Sequence, residues 1–370
     1  VTDPTSDPTS DPTSDAAFDA ALAAASDVGD AGDLTRVDVV VVAYGPEPWL
    51  PRCIEAILAS TGVRADVVLV DNGGTEGLVD DLEPLEGVTV IRPGRNTGFG
   101  EGCNLGVAAA TAPFVALINH DAVVEPGALA ALVHVAARPE VGLATASVRL
   151  ADRPGQLNSA GNDIHFLGLS WSGCFDEPAT DYPDERVVTG ASGAALACRT
   201  EVWQALGGFD DEFFAYHEDA DLSLRSWEHG WSNVYVPTAV VEHRYEFSRN
   251  ALKYELIERN RLIMVLTAFG PRQLVLTAPA LLALEVVMLA FGAKEGWLGA
   301  KLRGYGWLVR HASWLRGRRR RVQGERTISE AALADLLVGR MQAGNFDAPD
   351  WFSPFDRVLA GYWTLVKRLL

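Results

Sequence analysis

The chain has 370 residues, 48% of them apolar, so it can bury one large core or two smaller ones. Its net charge of −18 is unevenly spread: residues 1–33 carry eight Asp and neither Lys nor Arg. The four Cys are scattered without metal-ligand spacing, which excludes a Cys-built metal knuckle and points to reduced thiols in a cytoplasmic protein. Residues 1–33, with their Asp-Pro-Thr-Ser repeat, are too polar to bury anything and are expected to form a disordered tail without the features of a signal peptide. Val37–Val42 is a continuous β-branched run followed by Ala43-Tyr44-Gly45, and Leu50 to Ser60 has an amphipathic helical pattern. A second strand, Val67–Val70, ends in Asp71-Asn72-Gly73-Gly74, and a third spans Val88–Ile91. The glycine-rich stretch Arg95-Asn96-Thr97-Gly98-Phe99-Gly100-Glu101-Gly102-Cys103-Asn104-Leu105-Gly106 follows, with a helical run over Leu105–Ala110. A glycine turn feeding a helix N-terminus suits phosphate or nucleotide contact, although no Walker Gly-Lys-Ser/Thr is present. Strand, helix, strand, loop, strand, helix begins an α/β sheet with ligand loops at one edge.

Phe114–Ile118 reads as a buried strand ending in Asn119-His120-Asp121. A carboxylate at such a strand end lies where open α/β sheets bind ligands, and it can hold a hard divalent cation shared with phosphate oxygens. Further on, Gly207-Gly208-Phe209-Asp210-Asp211-Glu212-Phe213-Phe214-Ala215-Tyr216-His217-Glu218-Asp219-Ala220-Asp221 sets aromatics directly against three carboxylates within four residues. A carboxylate held against apolar surface is desolvated, which raises its pKa and makes it a usable general base. Acids also gather at helix N-termini to complement the dipole. Arg225 stands four residues after Asp221, a helical ion-pair spacing. Trp171 and Trp203 could stack on a sugar or fill a core. His243 follows an apolar run from Val234 to Val241.

In this order, Val39–Tyr44, Val70–Gly73, Asn96–Gly106, Leu117–Asp121 and the acidic segment resemble a family 2 inverting glycosyltransferase of the bacterial rhamnosyl- and galactofuranosyltransferase branch. The resemblance covers roughly residues 36–250. It implies a GT-A (Rossmann-like) α/β fold, a mixed sheet flanked by helices with a helical C-terminal extension. The implied division is the tail 1–33, a transferase domain 34–250 and a helical region 251–370. The resemblance also implies that Ala43, Tyr44 and Asp71 hold the nucleotide base, Asp71 accepting from the pyrimidine N3–H. Arg95 and Asn96 would flank the nucleotide. Asn119 replaces the first acid of the DXD motif, and Asp121 is its metal-binding Asp. Asp219 matches the general base, with Glu218 beside it as the second candidate, and His243 completes the metal or diphosphate site. The implied cofactor is Mg2+ or Mn2+. The implied substrates are a nucleotide-sugar donor, dTDP-rhamnose or a UDP-sugar, and a cell-wall or lipid-linked glycan acceptor. A nucleotidyltransferase on a similar sheet and a non-catalytic sugar-binding scaffold are the competing readings; residues 43–52 lack the basic nucleotide loop of the former.

Beyond residue 250 the composition changes. Leu252–Phe269 reads as a helix with an apolar face, and Leu274–Gly292 is almost wholly apolar apart from Thr277 and Glu285. Nineteen such residues could just span a bilayer, though a mid-helix Glu argues against a lipid-exposed span. A core helix, a helix in the membrane interface and a homo-oligomer contact are the other uses. Residues 294–326 hold ten Lys/Arg against two acids, with Arg318–Arg321 in a row and four aromatics interleaved. With no nucleic-acid motif present, this basic stretch is expected to meet the inner face of an anionic membrane. Residues 327–370 read as one or two small closing helices.

Overall fold

The computed structural model describes residues 34–244, 251–341 and 352–370, with side chains of the last segment described from 356 onward. The 1–33 repeat, expected to be a disordered tail, lies outside the described residues. The first four strands are the apolar runs of the sequence: β1 (Arg36–Ala43), β2 (Arg64–Asp71), β3 (Val88–Ile91) and β4 (Phe114–Ile118). Residues 37–43 of β1 are all buried, as a parallel strand covered on both faces requires. Helix α1 (Leu50–Leu58) links β1 to β2 and buries Leu50, Cys53, Ile54 and Ile57, an i, i+3, i+4, i+7 stripe. The short α2 (Leu78–Leu82) lies between β2 and β3.

The glycine-rich stretch is where expectation and structure part. Helix α3 (Gly98–Ala109) begins seven residues before the run read as helical, and three further glycines lie within it. A Cβ at Gly106 would come within 2.3 Å of Val40 Cγ1, and one at Gly102 within 2.9 Å of Val42 Cγ1. These glycines let the helix lie close on β1, so their use is packing rather than phosphate approach. The helix N-terminus is also occupied from within. Phe214 O accepts from Phe99 N at 2.7 Å and Gly100 N at 3.2 Å, so the free donors that a phosphate would use there are already spent.

The remaining strands are β5 (Ala122–Val124), β6 (Val141–Leu150), β7 (Arg153–Ser159), β8 (Asn162–Ile164), β9 (Ser170–Ser172), β10 (Arg186–Val188), β11 (Ala195–Arg199) and β12 (Ser232–His243). The sheet runs β3-β2-β1-β4-β11-β6-β12-β10. Its β3-β2-β1-β4 part is parallel, whereas β11 is antiparallel to both β4 and β6. Helix α4 (Ala128–Ala136) shares a core with α1 on one face of the sheet, while α3 and α5 (Thr200–Leu206) contribute to the core of the other.

Helix α6 (Glu218–Glu228) carries the acidic segment. The C-terminal helices are α7 (Ala251–Ala268), α8 (Pro271–Lys294), α9 (Leu298–Arg310), α10 (Ala312–Glu325), α11 (Glu330–Leu336) and α12 (Phe352–Leu369). Met264 and Val265 of α7, Leu284 of α8, Leu333 of α11 and Trp363 of α12 share one core with Phe166, Ala220 and Leu224. The C-terminal helices are therefore packed against α6 itself.

Candidate active site

The strand ends of β1 and β2 form the first wall. Asn72 N donates to Ala43 O at 2.8 Å and Gly45 N to Gly73 O at 3.0 Å, so the two loops leave the sheet side by side. Ala43 is fully buried, whereas the Tyr44 side chain stands out in solvent, its residue 56% exposed. Asp71 Oδ1 accepts from Gly73 N at 3.1 Å and Thr75 Oγ1 at 3.4 Å, an Asx-type turn. Its Oδ2 lies 4.0 Å from Arg92 Nε. Asn96 Oδ1 accepts from Gly98 N at 2.8 Å and Asn72 Nδ2 at 3.1 Å, so this oxygen shapes the turn. Arg95 is exposed and pairs with Glu101. Asn72, which the sequence marked only as part of a motif, is the hinge pin of this wall. Its Oδ1 accepts from Thr97 N at 2.7 Å and Thr97 Oγ1 at 2.8 Å, tying β2 to the start of α3.

The second group gathers where β4 ends beside the end of β12. His243 Nε2 lies 3.2 Å from Asp121 Oδ1 and 3.4 Å from Asn119 Nδ2. His243 Nδ1 lies 2.9 Å from Asn158 Oδ1, an acceptor, so Nδ1 carries a proton and Nε2 is the ring nitrogen that faces Asp121. Metal-binding histidines are commonly oriented in this way by a polar oxygen behind them. Asp121 Oδ1 is buried, with His243 Nε2 3.2 Å away. Burial works to raise the Asp121 pKa, but the hydrogen bond and charge of His243, with His120, hold it below the ordinary carboxylate value. An anionic oxygen and an imidazole nitrogen that converge, with the Asn119 amide beside them, fit a divalent cation. Among the described residues no group of three or more His, Cys, Asp and Glu could hold a metal, so two protein ligands would need substrate oxygens to complete the shell.

The third group is the acidic segment. Asp219 is partly exposed at the start of α6. Its Oδ2 accepts from Asn162 Nδ2 and Gly193 N, both at 3.0 Å, and its Oδ1 from Ala220 N at 2.7 Å. Burial raises the Asp219 pKa, and the N–H groups of Gly193 and Ala220, with Asn162, work against that rise. Glu218 is buried, and its Oε2 has no hydrogen-bond partner. Burial and then the neighbouring Asp219 charge push its carboxyl up to about 8. Of the two adjacent acids, Asp219 is the one that reaches solvent with donors holding it. The two carboxylate groups are also connected. Asn119 N donates to Ala194 O at 2.9 Å, next to the Gly193 N that holds Asp219. On the other side Asn158 supports His243 while Ser159 Oγ donates to Asn162 Oδ1 at 3.1 Å.

A model of the family described as glycosyltransferase like family 2 matches residues 35–264. The chain belongs to that family. Over 232 residues the enzyme is 31% identical to the N-acetylglucosaminyl-diphospho-decaprenol L-rhamnosyltransferase of Mycobacterium tuberculosis (strain CDC 1551 / Oshkosh), covering 55% of this chain and 75% of the relative. Its fold is similar to that of GalNAc-T7 with UDP, GalNAc and Mn2+, at a TM-score of 0.51 and 17% identity. That match covers 70% of this chain and 57% of the other. The mixed sheet flanked by helices is thus the GT-A fold that the sequence motifs implied, and the chain is a glycosyltransferase of an inverting family.

The sequence left Trp171 and Trp203 of this glycosyltransferase between sugar stacking and core. Trp203 is a core residue, its ring 5.0 Å from Phe209 in an edge contact, so it offers no face to a sugar. Trp171 is half-buried on β9, 6.2 Å from His165. Arg225 pairs with Asp221 at 2.9 Å, as the helical spacing predicted. Asp221 also receives Arg318 at 2.6 Å, however, and Arg318 is buried. Arg319 donates to Leu266 O at 2.6 Å and to Phe269 O at 2.7 Å. The Arg318–Arg321 row is therefore largely a brace between helices rather than a free basic patch. Asn158 of β7, Asn162 of β8 and Gly193 escaped the sequence reading because single polar residues in short polar strands or loops carry no periodic signal.

The segment leading into Asp219 is strained. Phe214, Tyr216 and His217 have φ of 62°, 69° and 66°. Ala215 N donates to Phe213 O at 2.7 Å, closing a γ-turn of the rare positive-φ type around Phe214. Asn260 of α7 holds this turn in place: its Nδ2 reaches Phe213 O and Ala215 O at 2.9 Å and Tyr216 O at 2.7 Å. Arg259 adds contacts to Glu212 O at 2.6 Å and Phe213 O at 3.1 Å. Strain of this kind persists only where the surroundings over-determine it, and it clusters at functional sites.

Proposed function

We propose that the enzyme moves a sugar from dTDP-rhamnose or a UDP-sugar to a hydroxyl of a cell-wall or lipid-linked glycan, with inversion at C1. The observation that carries the reading is Asp219: a partly exposed carboxylate, fixed by three N–H donors, one loop away from the Asp121–His243 pair. The named rhamnosyltransferase relative supports the rhamnosyl donor and the lipid-linked acceptor.

Asp71 Oδ2, with Oδ1 committed to its turn, would accept from the pyrimidine N3–H, which uracil and thymine share. Ala43 and Tyr44 would flank the base. Arg95, and Asn96 through its amide nitrogen, would face the nucleotide. Asp121 and His243 would hold Mg2+ or Mn2+, with Asn119 beside them. Bound there, the cation supplies positive charge against the leaving diphosphate. Asp219 takes the proton of the acceptor hydroxyl while its oxygen attacks C1. The new C1–O bond forms as the bond from C1 to the diphosphate oxygen breaks, and the nucleoside diphosphate departs from the opposite face. Glu218, held protonated by burial, adds no second negative charge beside the base.

Asp219→Asn tests this. The substitution keeps the shape and removes the base, so kcat should fall about 10²–10⁴-fold while donor affinity stays near that of the wild type. Transfer at the wild-type rate would refute the assignment. An equal loss from Glu218→Gln alone would shift the role to that residue. Donor binding without turnover in the wild type, with every acceptor class tried, would favour the scaffold reading.

A further inference from the structure

Helix α8 presents two unlike faces. Inward, Ala280 and Leu284 join the C-terminal core, and Gln273 and Thr277 are buried. Glu285, the residue that argued against a lipid-exposed span, also turns inward. Lys301 Nζ lies 2.8 Å from its Oε2, and Arg261 and Tyr305 bond it as well. Outward, Val275, Leu282 and Val286 are 73%, 68% and 67% exposed. Pro279, Ala283, Val287, Ala290 and Phe291 continue the same exposed stripe. From 275 to 291 the stripe is about 24 Å long and carries no charge. Helix α12 lies alongside, Tyr362 bonding to Leu276 O and Arg272 Nη1 reaching Leu370 O at 3.3 Å. It exposes Val358, Leu365 and Leu369. An uncharged apolar stripe like that of α8 marks a contact surface.

The charge around it selects the partner. Residues 251–370 as a whole contain 18 Lys/Arg and 10 Asp/Glu, a net +8 in a chain whose total is −18, although Arg259, Arg261, Lys301 and Arg318 are buried within the bundle. Exposed Arg272 and Lys294 stand at the two ends of α8, and exposed Arg368 lies between Leu365 and Leu369 on α12. Cations at the ends and edge of an apolar stripe suit anionic headgroups above an acyl layer. The α8 helix has the length and composition to cross a bilayer. Its inner face, however, is packed on protein and its only acid is paired inside the bundle, so a spanning arrangement would place that ionic network at membrane depth.

We infer that the outer faces of α8 and α12 lie in the surface of an anionic membrane, half-sunk and parallel to it, without spanning it. This reading does not depend on which sugar or acceptor the active site uses.

Flotation of the full chain tests it, with phosphatidylcholine vesicles and with vesicles containing 30% phosphatidylglycerol. The wild type should float with the anionic vesicles at least tenfold better than with the neutral ones. Leu282→Glu combined with Val286→Glu should abolish flotation, with circular dichroism and donor hydrolysis in solution unchanged. Sodium carbonate extraction should release the bound wild type from the membrane. No flotation by the wild type, or flotation unchanged in the double variant, would overturn the inference. Resistance to carbonate would overturn the parallel placement in favour of a span. A wild-type dimer that does not float and becomes a monomer in the double variant would assign the face to a second copy of the chain instead.

Discussion

Replacing Asn260 with Ala should damage catalysis from outside the reacting atoms. The three positive-φ residues Phe214, Tyr216 and His217 each cost roughly 1–2 kcal/mol, so the turn stores about 3–6 kcal/mol. Asn260 Nδ2 contacts three backbone carbonyls of that turn with two hydrogens to share. At about 0.5–1.5 kcal/mol net per hydrogen bond, the side chain contributes roughly 1–3 kcal/mol, about half of the strain it opposes. Asn260→Ala should therefore lower global stability by about 2 kcal/mol in urea and let the turn relax toward ordinary backbone angles. Asp219 follows His217 by two residues and would move with it. A displacement near 1 Å at a reacting group costs on the order of 10²-fold in rate, so kcat should fall by about that factor with donor KM little changed. The assay is steady-state transfer at a temperature well below the variant's melting point, beside urea unfolding. A stability loss with kcat within twofold of the wild type would refute the link between this turn and the base. No stability loss at all would refute the balance of strain and hydrogen bonds.

Asp121→Ala should remove the metal dependence of nucleoside diphosphate binding, since no other acid stands in the 119–121 triplet. Calorimetry with and without Mn2+ reads this out, and unchanged metal dependence would place the cation elsewhere. Glu218 has its pKa raised from 4.5 to about 8, so the folded state holds a proton there that the unfolded state releases. The stability that Glu218 contributes is complete below about pH 4.5 and is lost as pH rises toward 8. Glu218→Gln should accordingly be more stable than the wild type at pH 8 and not at pH 4.5, as measured by urea midpoints across that range. A stability difference independent of pH would show that Glu218 is already ionised at neutral pH in the fold.

Much of the parallel half of the sheet was legible in the chain. Val37–Val42, Val67–Val70 and Val88–Ile91 became β1, β2 and β3 with ends shifted by no more than three residues, because buried parallel strands are continuous β-branched runs that need little context. The Asn119-His120-Asp121 triplet falls just past the end of β4, and Asp219 at the start of α6, for the same local reasons. The start of α3 was not legible. Glycines at 98, 100 and 102 oppose a helix by propensity, and Phe214 O, more than a hundred residues away, the Asn72 and Asn96 side chains and the closeness of β1 make it favourable there. Arg318 read as surface charge because its partners Asp210 and Asp221 lie about a hundred positions earlier. Composition and periodicity thus determined the first four strands and which residue types carry the chemistry. Tertiary structure decided which charges face solvent, which asparagines hold His243 and Asp219, and that a C-terminal helix fixes the turn before the base. Each of these depends on a partner distant in the chain, and hydrogen bonds and ion pairs between distant segments leave no repeat in the sequence that joins them.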